Sequence, residues 1–151
     1  MNKYNLNRIE RHYMIEVMLT FQDKYGRDMT DEEFALAVEK MRAKRIQKLQ
    51  AEMAKKGFDA LIVTSEINQR YLTGFAYTDG YAVVTQSKAW LVTDFRYVEA
   101  AENATKGSAW EVLTPKKMLA TISELLHGEG VKTVALEEAT LPLSEYERIK
   151  A

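Results

Sequence analysis

Asp94, Arg96 and Tyr97 combine residue types and spacing that suggest chemistry. They close the run Leu91-Val92-Thr93-Asp94-Phe95-Arg96-Tyr97, which places an acid, a base and two aromatics where an apolar strand gives out and a helix begins. An arginine fork of this kind can grip a carboxylate bidentately. The simpler reading is that Asp94 caps the helix, where an acid gains from the free amides and their dipole, and that Arg96 is held by Asp94 or Glu99. A second run, Asn68-Gln69-Arg70-Tyr71-Leu72-Thr73-Gly74-Phe75, ends a short helical segment on a glycine-aromatic corner. Gly74 reads as a left-handed cap and Phe75 as a core residue. The loop that follows, Ala76-Tyr77-Thr78-Asp79-Gly80, is polar, carries an aromatic and lies beside a sheet end, a place where binding residues sit. Asp79-Gly80 is also simply good turn chemistry.

Other chemistries find less support. His12 and Glu16 lie one helical turn apart and could clamp a metal from one face, but no third ligand is near in sequence, so an exposed pair is the better reading. His127 falls near a helix end, where a partial positive charge suits the dipole, and neither histidine has a serine or cysteine partner visible from spacing, leaving a hydrolase triad unsupported. Asp59, Asp94 and the pair Glu137-Glu138 lie near expected strand ends, where carboxylates can gather two metal ions. A two-metal nuclease also wants basic residues for a phosphate backbone, and the net charge is −1, so caps and solvated ends are preferred. The same balance argues against nucleic acid or an anionic membrane as partner. Lys55-Lys56 and Lys116-Lys117 read as solvated faces. The chain has no cysteine, which removes disulfides, thiolate nucleophiles and cysteine-ligated zinc. Apolar runs such as Ala60-Leu61-Ile62-Val63 are too short to cross a bilayer, and the start lacks a signal-peptide core, so the expected location is cytoplasmic.

These residues need a frame to hold them, and the 151-residue chain is long enough for one domain plus an appendage. Residues 1 to about 56 read as helical. In the first helix Ile9, Tyr13, Val17 and Phe21 recur every fourth position, with Met14 and Met18 widening the stripe. Gly26 and the polar stretch from Asp23 to Asp28 break that pattern. Thr30 and Glu33 form a capping-box signature for a long helix that points Phe34, Val38, Met41, Ile46, Leu49 and Met53 inward and stops at Gly57. Five strands are expected after it: Ala60 to Thr64, Tyr81 to Thr85, Ala89 to Thr93, Trp110 to Leu113 and Thr133 to Glu137. Ser87-Lys88 makes the tight turn between the second and third. Helices should run from Phe95 to Lys106, from Thr114-Pro115 onward, and from a second capping box, Ser144 with Glu147. The hairpin must be antiparallel, and strands reached through helices should be parallel, giving a mixed sheet covered on both faces.

Taken together, Tyr71-Leu72-Thr73-Gly74-Phe75 and Thr93-Asp94-Phe95-Arg96-Tyr97 resemble the N-terminal domain of the creatinase, prolidase and Xaa-Pro aminopeptidase family, where YLTGF and TDxRY recur at about this separation. The resemblance covers about residues 41–151 and leaves 1–40 as an added helical arm. It implies a three-layer α/β domain with a ribonuclease H-like mixed sheet of about five strands. It also implies a non-catalytic domain that supports oligomerisation and shapes the substrate pocket of a proline-specific metallopeptidase. Two divalent ions of manganese, cobalt or zinc type would then sit in a catalytic domain lying after Ala151, with proline-containing peptides as substrates. Carried over to this chain, the resemblance makes Phe75, Tyr77, Asp79, Arg96 and Tyr97 candidates for lining the pocket of a partner subunit. The rival expectation is a stand-alone protein-interaction module. The arm's apolar stripe must fold onto the domain, pair with a second copy or cover a partner, and a homodimer is the expected use.

Overall fold

In a computed structural model, the described residues are 4, 6–75, 79–137 and 141–150. Two helices come first, α1 (Arg8–Tyr25) and α2 (Asp31–Lys56), and the alternating part follows: β1 (Ala60–Val63), α3 (Glu66–Thr73), β2 (Gly80–Thr85), β3 (Ala89–Thr93), α4 (Val98–Thr105), β4 (Trp110–Leu113), α5 (Met118–Gly128), β5 (Val134–Leu136) and α6 (Leu143–Lys150). The five strands form one sheet in the order β4-β3-β2-β1-β5. β1, β2 and β3 pair antiparallel as a meander, and each edge carries a parallel strand, β4 beside β3 and β5 beside β1. This is the expected three-layer mixed sheet. Both edge strands arrive through helices, which explains their direction.

The sheet is apolar on both sides, and its period of two divides the side chains between two cores. Val63, Ala82, Val84 and Leu91 pack with Ile46 and Met53 of α2, Leu72 of α3 and Ala101 of α4. Ala60, Ile62, Tyr81, Val83, Trp90 and Val92 face the other way, onto Ile122 and Leu126 of α5, with Ile149 of α6 at the margin. A third, smaller core joins the arm to the domain: Leu6, Met14, Val38 and Met41, edged by Tyr4, Val17, Phe34 and Ala37. α2 runs unbroken through residues 40 and 41, so its first half serves the arm and its second half the sheet.

The arm's buried face differs from the expected stripe. α1 does not bury Ile9 or Tyr13: Ile9 is 80% exposed, whereas Met14 is wholly buried and Glu10 nearly so. Glu10 is the reason. Asn7 and Glu10 form a capping box that the apolar pattern did not reveal, and Glu10 also meets Arg45 of α2. That pairing rotates the helix to bury the line Glu10, Met14, Val17. On α2, Val38, Met41, Ile46 and Met53 are buried as expected, with Phe34 and Leu49 partly so. The Thr30–Glu33 box and the stop at Gly57 are present.

Three helix starts differ. Asp94 first caps a single 3-10 turn, Phe95–Tyr97, and the α-helix begins only at Val98. α5 begins at Met118 rather than at Pro115, because the chain must travel from edge strand β4 to the middle of the sheet before a helix can pack there. Ser144 is not a cap: the Pro142 carbonyl accepts from the Tyr146 amide, so the cap position falls on Pro142 and the helix begins at Leu143, two residues earlier than a Ser144 cap would place it. The corrected arm packing leads to a first prediction. Met14→Ala should cost about 2–4 kcal/mol in urea unfolding, and Ile9→Ala less than about 0.5 kcal/mol.

Candidate functional site

β1, β3, β4 and β5 all end at one rim of the sheet, where β2 begins, and this rim collects the residues singled out from sequence. At β5's end the Glu137 carboxylate takes the Thr64 amide at 2.6 Å and the Ser65 amide at 2.9 Å through Oε1. The Ser65 hydroxyl, at 2.9 Å, and the Asn68 side-chain amide donate to Oε2. Ser65 in turn caps α3 by accepting from the Asn68 amide. Burial raises the Glu137 pKa, but these donors outweigh it and hold the carboxyl below its ordinary value. Asp59 does the matching work at the other end of β5, accepting from the Lys132 and Thr133 amides at 2.8 and 3.1 Å; those amides lower its pKa.

The second cluster surrounds the segment 76–78. Ahead of it, buried Thr73 accepts from the Phe75 amide at 3.0 Å and donates to the Gln69 carbonyl at 2.7 Å. Beyond it, buried Thr93 donates to the Asp79 carbonyl at 3.0 Å. Arg96 bridges two acids, its Nε to Asp94 at 3.0 Å and its Nη2 to Asp79 at 3.1 Å, while Asp94 caps the turn through the Arg96 amide at 2.9 Å. Asp94 is lowered from its ordinary pKa by the Arg96 amide first and the guanidinium second. Of the two expected holders of Arg96, Asp94 serves and Asp79 stands where Glu99 was considered.

The pocket candidates therefore fall in different settings. Phe75 is 7% exposed and belongs to the core shared by α2, α3 and α4. Tyr97 lies partly buried against the same core, with the Arg96 guanidinium 5.5 Å from its ring centre. Asp79 and Arg96 are exposed at the rim and bonded to each other. Tyr77 lies outside the described residues, as does Glu138. Beside this cluster Thr64, Ser65, Asp79, Tyr81, Glu145 and Arg148 border an open cleft of about 460 Å³. In it the Tyr81 hydroxyl donates to Glu145, and burial, then that carboxylate, pushes the tyrosine pKa up to about 12.

Gly74 has a role beyond its cap. Its φ is 76°, and a Cβ there would come within 2.3 Å of the Arg42 guanidinium carbon. That side chain cannot simply swing away, because its Nη2 donates to the Tyr4 carbonyl. Sequence reasoning found the cap but not this close approach, since nothing in the local pattern connects residue 42 to residue 74.

The arrangement positions backbone rather than reacting groups. Among the described residues no three His, Asp or Glu side chains are grouped to hold a metal. His12 and Glu16 form an exposed 3.7 Å pair. His127 does have a serine neighbour after all: Ser123 one turn earlier, with Oγ at 3.4 Å from Nδ1. The shorter contact is from Nδ1 to the Ser123 carbonyl, at 2.7 Å, which an imidazole N–H makes as donor, so that nitrogen is not a base for the hydroxyl. No helix among the described residues is long and apolar enough to cross a membrane.

An antiparallel meander flanked by two parallel strands, with the YLTGF and TDFRY runs at its rim, defines a three-layer α/β domain. This chain belongs to the Creatinase/Prolidase N-terminal domain family, whose model matches residues 45–151. It is 31% identical over 103 residues to the uncharacterized peptidase YqhT of Bacillus subtilis (strain 168), an alignment covering 68% of this chain and 29% of that protein. The chain thus spans less than a third of the length of that relative. Its fold superposes on an Xaa-Pro aminopeptidase from Streptococcus pyogenes with a TM-score of 0.65 at 28% identity, covering 74% of this chain and 81% of the other. The N-terminal domain of the cytoplasmic peptidase PepQ from Mycobacterium tuberculosis H37Rv gives 0.65 at 26% identity, covering 72% and 83%.

Two predictions follow from the rim. Glu137→Gln should lose about 1–3 kcal/mol at neutral pH. Because the folded pKa is depressed, the parent's advantage is complete above its unfolded pKa, near 4.5, and fades as pH falls below that value through the folded one; the variant's acid limb should be correspondingly flatter in pH-dependent urea titrations. Gly26 also has positive φ but open space around its missing Cβ. Gly26→Ala should cost about 1–2 kcal/mol and Gly74→Ala roughly 1–3 kcal/mol more, compared by thermal unfolding.

Proposed function

We propose that this chain is the non-catalytic N-terminal domain of a cytoplasmic Xaa-Pro aminopeptidase or prolidase-like metallopeptidase, and that it shapes the substrate pocket and supports a homodimer of the full enzyme. The observation that carries the pocket role is the pinning of segment 76–78 on both sides, by Thr73 ahead of it and by Thr93 and Arg96 beyond it. A loop root held this firmly suits a segment that must meet a substrate at fixed geometry. Arg96 has Nε and Nη2 engaged, so its part is to position Asp79, and Tyr77 and Asp79 are the residues offered to the pocket. Family membership and the peptidase relatives support the parent activity. Two divalent ions of manganese, cobalt or zinc type would belong to a catalytic domain; the described residues of this chain offer no ligand set for them. The dimer rests on the arm, where Ile15 and Leu19 are exposed together with Ile9.

The same exposed residues favour the second reading, a protein-interaction module without peptidase activity. The full-length protein with manganese should cleave Xaa-Pro peptides, and residues 1–151 alone should not. Tyr77→Ala and Asp79→Ala in the full-length protein should lower kcat/KM at least about tenfold, with Lys56→Ala unchanged. Wild-type rates in both variants would end the pocket role. Absence of a longer reading frame, with a partner captured by the arm, would favour the module.

A further inference from the structure

We infer that the helical arm and the Tyr71–Phe75 corner are one conformational unit, joined through Arg42 and Arg45 of α2, so that docking of α1 fixes the root of the 76–78 segment. Both arginines touch both sides. Arg45 Nη1 donates to Glu10 Oε2 of α1 at 2.9 Å and to the Tyr71 carbonyl of α3 at 2.8 Å, and its guanidinium carbon lies 4.0 Å from the Tyr71 ring centre. Arg42 donates to the Tyr4 carbonyl ahead of α1 and covers Gly74, where no Cβ fits. The Arg45–Glu10 side chains are 14% and 5% exposed, so water cannot replace either partner cheaply. Arg42 has a buried Nε without a hydrogen-bond partner, which leaves the Tyr4 bond and the packing on Gly74 to hold it. Lifting the arm strands one buried charge and frees a second from its partner, and both then re-seat against the end of α3. An arm released from this contact, whether by a partner or by exchange with a second copy, would change the corner without touching it.

The importance of this coupling for substrate selection rests on the function proposed above; the coupling itself does not, and its test needs no peptidase assay. Amide exchange followed by NMR on the full chain reads it directly. The probes are the Gly74 amide (to the Arg70 carbonyl), the Phe75 amide (to Thr73) and the Trp110 indole (to the Leu72 carbonyl). Glu10→Gln and Met14→Ala, neither of which touches α3, should each speed exchange at all three about tenfold or more, while Val84 and Leu91 in the central strands keep the parental rate. Coupling is reciprocal, so Gly74→Ala should speed exchange at Met14 in the arm, which a purely local defect would not do. Tyr13→Ala, on the exposed side of α1, should change none of these. Faster exchange throughout α1 with unchanged Gly74, Phe75 and Trp110 signals would overturn the inference. If Met14→Ala also loosens the central strands, Glu10→Gln, which keeps size and shape, decides alone.

Discussion

One helix has to serve two cores. α2 turns Val38 and Met41 toward the arm and Ile46 and Met53 toward the sheet, and at the changeover a helix of this pitch must carry Arg42 and Arg45 inside the structure. Burying guanidinium groups is costly unless each finds oxygen acceptors. Burial lowers the Arg42 pKa, and the Glu10 charge works in the opposite direction. The acceptors that answer this demand are two backbone carbonyls and a single carboxylate, Tyr4, Tyr71 and Glu10. Their positions dictate where α1 and α3 can lie. The corner after α3, and with it the rim, follows from that placement.

At the rim the acids work as acceptors for backbone amides. Glu137 satisfies the first amides of the β1–α3 connection and Asp94 the Arg96 amide of a 3-10 turn, and at the opposite end of the sheet Asp59 does the same for the amides ahead of β5. Each carboxylate is tied down by its hydrogen bonds and lowered in pKa, so each is a poor proton acceptor at neutral pH. At these positions the acids hold backbone geometry, and the chain matches an N-terminal domain family.

Much of this was legible in the residues because the signals are local. Thr30 with Glu33, Gly57, Gly74 and the apolar strands each act within a few positions and each does what its local chemistry dictates, while the hairpin turn expected at Ser87-Lys88 falls one residue earlier, on Gln86-Ser87, because the Thr85 amide donates to the Lys88 carbonyl. The two motif runs located the rim for the same reason. What escaped depended on distance. The arm's apolar periodicity pointed to Ile9 and Tyr13, but a buried ion pair with a residue 35 positions away set the rotation of α1 instead. Arg96 is held by Asp94 as expected, but its second partner, Asp79, lies 17 positions back where Glu99 was considered. The start of α5 was set by how far the chain must walk across the sheet before packing.

β5 contributes three residues to the ladder, and its partner β1 is separated from it by nearly half the chain, with Asp59 bonding across 74 positions to Thr133. During synthesis the sheet from β1 to β4 can close long before β5 leaves the ribosome. Through that interval β1, apolar and destined for burial, is an unpaired edge of the kind that recruits foreign strands. Glu137 and Asp59 clasp that pairing in the folded chain, Glu137 accepting from the Thr64 and Ser65 amides after β1 and Asp59 from the Lys132 and Thr133 amides ahead of β5. A three-residue strand clasped at both termini is thus a late-arriving seal, and the chain's resistance to aggregation while nascent depends on how fast it sets.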